Sequence, residues 1–149
     1  MVAIAGLVDG MTVLEPSAGT GRILDAIADT GANVQTTACE ICPTLCGHLF
    51  NKYGATLRQG DFLGMQFPER FDRIIMNPPF RRGTDVLHIS HALRYLKPGG
   101  KLVSLCYDGV AQNARLRPMA TTWETLPPGT FKESGTGAGV CLLTIESKT

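Results

Sequence analysis

Apolar positions along the chain recur in two alternating rhythms. Met11 to Glu15 is a short apolar run after Asp9-Gly10, and it leads into the glycine-rich turn Pro16 to Gly21. Ile23, Leu24 and Ile27 then fall at helical spacing as far as Gly31, and Val34 to Glu40, rich in Val and Thr, reads as a strand. Pro43 to Tyr53 reads as a second helix, and Ala55 to Gln59, Phe71 to Met76 and Lys101 to Tyr107 as three more strands. Thr84 to Leu96 is the best-patterned helix, with Val86, Ile89, Leu93 and Leu96 at three- and four-residue steps before Pro98-Gly99-Gly100 stops it. Strand and helix in alternation predict a parallel sheet covered on both faces. The end of the chain leaves that rhythm. Trp123 to Leu126 and Val140 to Ile145 flank a segment rich in Pro and Gly, which predicts an antiparallel hairpin. The expected fold is α/β, doubly wound, with a mostly parallel seven-stranded sheet and a reversed C-terminal pair. Met1 to Gly6 reads as the end of a helix.

At 149 residues the chain has the size of one domain, so residues 1–149 are expected to share a single core. Apolar residues make up 44% and charged residues 18%, enough to fold without a disulfide scaffold and too greasy for general disorder. Fourteen basic residues against 13 acidic ones leave +1, so any contact with nucleic acid must come from local charge. Met1 to Val8 is too short to span a bilayer and lacks the basic flank and cleavage pattern of a signal peptide. A soluble cytoplasmic protein without a membrane partner is expected. Five cysteines, an odd number, fit reduced thiols. Cys39, Cys42 and Cys46 precede His48 and invite a zinc reading, but Cys39 ends a strand and would turn away from the other two. No metal is expected.

In open parallel sheets ligands bind beyond the carboxyl ends of the strands. Four such ends here carry polar residues. In Glu15-Pro16-Ser17-Ala18-Gly19-Thr20-Gly21, Gly19 and Gly21 let backbone amides approach a ligand, and Glu15 adds a fixed negative charge. A phosphate loop would avoid that acid. Leu24 stands where a dinucleotide fingerprint needs its third glycine, and no Gly-Lys-Ser or Gly-Lys-Thr follows, so nicotinamide and nucleoside triphosphate readings fall. Glu40 ends the second strand, where a carboxylate can accept both hydroxyls of a ribose. Asp61 and Phe62 follow the third strand, where an acid can accept from an exocyclic amine while an aromatic ring packs on a purine. Any one acid is more often a solvated strand end. Three in this order describe a ligand with a cationic end, a ribose and an adenine.

The fourth strand runs into Asn77-Pro78-Pro79-Phe80. Two prolines cannot continue a ladder, so the backbone leaves the sheet extended, with carbonyls free to accept. An exocyclic amine is a poor nucleophile because its lone pair is conjugated into the ring. Accepting its two hydrogens on the Asn77 side-chain oxygen and the Pro78 carbonyl favours the pyramidal nitrogen that attacks a methyl group. Phe80 can stack on an extruded base.

From Gly6 to Ile145 the chain resembles the class I S-adenosylmethionine-dependent methyltransferases, whose sheet is Rossmann-like. The resemblance implies that Glu15, Pro16, Ser17, Ala18, Gly19 and Gly21 face the methionine part of the cofactor. It further implies that Glu40 holds the ribose, that Ile41, Asp61 and Phe62 enclose the adenine, and that Asn77 borders the cofactor as well as the amine. The Asn-Pro-Pro-Phe motif is similar to that of enzymes methylating planar amino groups: adenine N6, guanine N2 in ribosomal RNA, or glutamine in release factors. The glycine-loop wording, with Phe131 to Gly137 in the closing hairpin, looks most like N6-adenine DNA methyltransferases. Catalytic roles are then expected at Asn77, Pro78, Pro79 and Phe80.

Arg81 and Arg82 follow the motif, Arg115 and Arg117 follow the fifth strand, and Lys132 lies in the hairpin, so a basic mouth for phosphates is expected. His88 and His91 share a helix face without an evident third ligand and read as surface or packing residues. No separate target-recognition region is evident. Either a partner subunit supplies one, or recognition is loose, or the acceptor is a structured RNA or protein; a second reading makes the chain a non-catalytic methyltransferase-like subunit of a larger complex.

Overall fold

The computed structural model describes residues 1–53, 56–127, 129–130 and 139–148. Its regular elements are α1 (Val2–Ala5), β1 (Thr12–Glu15), α2 (Arg22–Ala28), β2 (Gln35–Glu40), α3 (Pro43–Tyr53), β3 (Thr56–Gln59), β4 (Phe71–Met76), α4 (Thr84–Leu93), β5 (Leu96–Tyr107), α5 (Val110–Arg115), β6 (Thr122–Thr125) and β7 (Val140–Glu146). The seven strands form one sheet in the order β3-β2-β1-β4-β5-β7-β6. The first five are mutually parallel, and β7 runs antiparallel to both β5 and β6. This is the Rossmann-like doubly wound arrangement with a reversed C-terminal pair. Winding runs outward from β1 to β3 on one side and from β4 to β5 on the other, so the order reverses between β1 and β4. A crevice opens at such a reversal.

Period-two alternation sorts the core into two layers. Val13, Ala38, Ile75 and Val103 face Val2, Ala5, Leu24, Ile27 and Leu49 of the three N-terminal helices. Their chain neighbours Leu14, Cys39, Ile74 and Leu102 face Phe62, Val86 and Ile89 on the other side. Each such side chain contributes about 1.5–3 kcal/mol by leaving water.

The junction between α4 and β5 differs most from the sequence expectation. Helix α4 ends at Leu93 rather than Leu96, and β5 starts at Leu96 rather than Lys101. Leu96 is captured as the partner of Phe71, whose amide donates to the Tyr95 carbonyl at 2.8 Å. Pro98-Gly99-Gly100 is therefore an irregular stretch of strand, not a helix stop. It is held by Gly99 N donating to Ser147 O (3.1 Å) and Ser147 N donating to Gly100 O (2.9 Å). A Cβ on Gly100 would lie 2.8 Å from the Lys97 carbonyl, which is why glycine stands there. Helix α1 is one turn, with Val2 and Ala5 buried and the Ala5 carbonyl accepting from Arg73 Nε at 2.6 Å. The Gly-rich part of the hairpin, with Phe131, Lys132 and Gly137, lies outside the described residues.

Candidate active site

The carboxyl ends of β1 to β4 surround a cavity of about 600 Å³. Pro16, Ser17 and Gly19 come from the loop after β1, Glu40 and Ile41 from the end of β2, and Gly60 to Leu63 from the turn after β3. Asn77 to Phe80 come from the loop after β4, and Thr84 and His88 from α4. The glycine loop and Asn77 thus open onto one space, because β1 and β4 are paired neighbours, with Leu14 opposite Ile74. A larger hollow, about 750 Å³, lies at the other pole among the first residues of β1 to β4, including Thr12, Gln35, Thr56 and Phe71. It brings together none of the residues singled out from the sequence.

Glu40 ties this end of the sheet together. Its Oε2 accepts from Gly19 N at 2.7 Å and its Oε1 from Cys42 N at 2.8 Å, joining the turn after β1 to the start of α3. Gly19 has φ +54° with open space where a Cβ would stand, so its backbone faces the cavity bare. Gly21 serves another purpose. At φ +86° a Cβ there would lie 2.7 Å from Tyr53 Oη, so this glycine admits α3 and begins α2 rather than facing a ligand.

Glu15 also departs from expectation. It is 1% exposed, its Oε2 has no hydrogen-bond partner among the described residues, and it does not line the cavity. Burial, and secondarily the charge of Glu40, push its carboxyl up to about 8. Near neutral pH it is therefore mostly protonated, not the fixed negative charge the sequence suggested. Ala18 and Gly21 likewise lie outside the cavity lining.

Asp61 is exposed, and its Oδ1 accepts from Leu63 N at 3.0 Å, capping a short 3₁₀ turn. Phe62 borders the cavity but is only 2% exposed, its ring held against Phe67, His88 and His91. Its surface belongs mainly to the core, so a broad stacking face for a purine is absent there. Ile41, 65% exposed, offers the apolar wall instead. Pro78 is buried, Phe80 half-buried, and Asn77 and Pro79 exposed. Arg81 and Arg82 project from the next turn, and Arg82 at φ +53° is the one non-glycine left-handed residue among those described. Such strain beside a site is retained only where the surroundings enforce it. Arg115 and Arg117 are exposed at the end of α5 and just beyond it, away from the cavity lining.

Sequence reasoning missed Thr84 and His88. They stand four residues apart on α4 and therefore share a face, which the structure turns to the cavity. His88 is 7% exposed, and burial holds its imidazole below the usual histidine range. His91 is a packing residue as expected, its Nε2 3.1 Å from Met65 O. Among the described residues no three His, Cys, Asp or Glu side chains are placed to hold a metal, and no helix is long and apolar enough to cross a membrane.

The family model of the methyltransferase small domain matches residues 10–127. The chain belongs to this family. No curated protein matched the sequence. Among solved structures, the methyltransferase resembles TrmN from Thermus thermophilus, with TM-score 0.76 and 21% identity over 98% of this chain and 46% of that one. It therefore spans about half the length of TrmN. PH1948 from Pyrococcus horikoshii, a proposed RNA methyltransferase, superposes with TM-score 0.75 at 19% identity, covering 99% of this chain and 81% of that one. The 1,6-didemethyltoxoflavin-N1-methyltransferase of Burkholderia thailandensis, solved with S-adenosylhomocysteine, gives TM-score 0.71 at 16% identity over 99% and 76%. At these identities the likeness is one of fold. The cofactor of the methyltransferase is S-adenosylmethionine. The residues present fit it: a bare glycine backbone, a carboxylate at the end of β2, an apolar wall at Ile41 and an acid at Asp61 border one cavity.

Proposed function

We propose that this methyltransferase acts on a planar amino nitrogen, and that its acceptor is N6 of adenine in DNA. The observation carrying this reading is the single cavity bordered by Gly19 and Glu40 on one side and Asn77 to Phe80 on the other. S-adenosylmethionine, when bound, supplies an electrophilic methyl on a positively charged sulfur. Pro16, Ser17 and Gly19 hold its amino-acid end, Glu40 accepts from its ribose, and Ile41, Asp61 and Phe62 enclose its adenine. Two amides already bond Glu40, but an ionised carboxylate offers about four lone-pair sites, so acceptor capacity remains.

On the acceptor side, neither Pro78 nor Pro79 has an N–H, so the Asn77 and Pro78 carbonyls escape local pairing with those positions. Asn77 Oδ1 and the Pro78 carbonyl accept the two amine hydrogens, turning the nitrogen lone pair toward the methyl. No strong base is needed before attack. Phe80 stacks on the extruded base, a contact of about 1–3 kcal/mol. Arg81, Arg82, Arg115 and Arg117, with Lys132, contact phosphates, and a partner subunit supplies target recognition. RNA is the second reading, favoured by the fold shared with PH1948.

Tritiated-methyl transfer to DNA, ribosomal RNA and release factor tests this. Counts in DNA as N6-methyladenine, lost in Asn77→Ala, are the expected outcome. Counts only in RNA or only in release factor move the acceptor to that class, and cofactor binding without transfer to any of them overturns the reading as an enzyme.

A further inference from the structure

We propose that His88 is a specificity residue for the adenine end of the methyl donor, donating from Nε2 to a purine ring nitrogen beside the amine that Asp61 accepts. This rests on the cofactor site described above and is independent of the methyl acceptor. His88 lines the cavity from α4, one turn beyond Thr84, and its ring centroid lies 5.6 Å from that of Phe62. Asp61 lines the same cavity and directly precedes Phe62 in the chain. Asp61, Phe62 and His88 therefore occupy one corner of the cavity.

The neighbouring polar groups are engaged elsewhere. Asp85 accepts from Val86 N, Tyr107 N and Gln112 Nε2. His91 pairs with Met65 O. The Nδ1 of His88 is buried and has no partner among the described residues. A buried N–H without an acceptor is the rarer omission, and burial keeps the ring neutral, so the proton belongs on Nε2 and Nδ1 keeps its lone pair. Beside it, Asp61 Oδ1 is taken by Leu63 N, while Oδ2 makes no hydrogen bond among the described residues. A donor next to an acceptor complements an aminopurine edge, which offers a ring-nitrogen acceptor beside N–H donors. It mismatches a 6-oxopurine, whose carbonyl would face the Asp61 carboxylate.

Isothermal titration calorimetry with S-adenosylhomocysteine and its 1-deaza and 7-deaza analogues tests this, because each analogue replaces one ring nitrogen flanking the amine by C–H. Wild type is expected to bind one analogue about tenfold more weakly than the parent compound, the scale of one lost hydrogen bond. His88→Leu is expected to bind that analogue and the parent equally. Equal affinity of wild type for all three compounds overturns the proposal, as does His88→Leu retaining wild-type discrimination. Should His88→Leu fail to fold, His88→Phe, which keeps a ring against Phe62 but has no donor, takes its place with the same two outcomes. No binding of the parent compound to wild type overturns the cofactor site itself, a different and recognisable failure.

Discussion

Glu15 and Glu40 end neighbouring strands, yet Glu40 has a backbone amide on each oxygen while Oε2 of Glu15 has no partner among the described residues. Burial lifts the Glu15 carboxyl from 4.5 to about 8. Its folded value exceeds its unfolded one, so the stability it contributes is complete below pH 4.5 and is lost as pH rises toward 8. Replacing it by neutral Gln removes that dependence. The stability of Glu15→Gln relative to wild type should rise by on the order of 3 kcal/mol between pH 5 and pH 8. Urea unfolding of both proteins across this range measures it, and parallel pH profiles would contradict the buried, protonated state.

The two glycines of the first loop should separate stability from binding. Gly21→Ala sets a Cβ against Tyr53 Oη and ring at positive φ, which should cost about 1–3 kcal/mol of folding stability. Gly19→Ala meets open space, so only the backbone strain of about 1 kcal/mol applies to folding. Its methyl, however, projects where the cofactor is expected, so affinity for S-adenosylhomocysteine should fall at least tenfold. Thermal unfolding and calorimetry on both variants check the crossing. Gly19→Ala with unchanged affinity would remove this loop from the cofactor site.

Much of this was legible in the chain. Alternating Val13/Leu14 and Ile74/Ile75 pairs announce strands buried on both faces, and the polar residues at each strand end announce the cavity rim. What the sequence concealed follows from packing. Nothing local tells that Leu96 will pair with Phe71 across the sheet, so a helical rhythm carried on past the true end of α4. Glu15 looks like any acid at a strand end until its neighbours enclose it. Gly19 and Gly21 look alike, but only the approach of Tyr53 from α3 gives Gly21 its purpose. His88 belongs to an apolar helix face whose orientation toward the cavity depends on how α4 crosses the sheet.

If Arg81 and Arg82 contact phosphates, their loss should weaken nucleic-acid binding without regard to sequence. Each contact removed should lower the slope of log K against log salt by about 0.7–0.9, the lower figure for single strands. Filter binding of wild type and an Arg81→Ala/Arg82→Ala variant to DNA and RNA from 50 to 300 mM salt, concentrations chosen on the order of those where screening acts, gives both slopes. Unchanged slopes on both polymers would leave these arginines as solvated loop residues. Arg82→Gly offers a control, since it removes the cation and relieves the left-handed strain together.

The buried carboxylate of Asp85 joins the acceptor loop to the end of β5. It is fully enclosed, and it accepts from Tyr107 N at 2.9 Å and from Gln112 Nε2 at 2.8 and 3.0 Å. Asp85 stands in the first turn of α4, directly after the Asn77 to Gly83 loop, whereas Tyr107 and Gln112 lie at the end of β5 and on α5. Asp85→Ala would leave Val86 N, Tyr107 N and Gln112 Nε2 without their carboxylate acceptor and open a void, so unfolding free energy should drop by about 2–4 kcal/mol. Gln112→Leu removes the side-chain donor while leaving Tyr107 N paired, so its loss should be smaller, about 1 kcal/mol. Asp85 directly follows the acceptor loop on α4, so Gln112→Leu should raise the KM for the methyl acceptor, with a smaller weakening of S-adenosylhomocysteine binding carried through His88 one turn further along the helix. Equal effects on both ligands would mean that the clamp serves the fold as a whole.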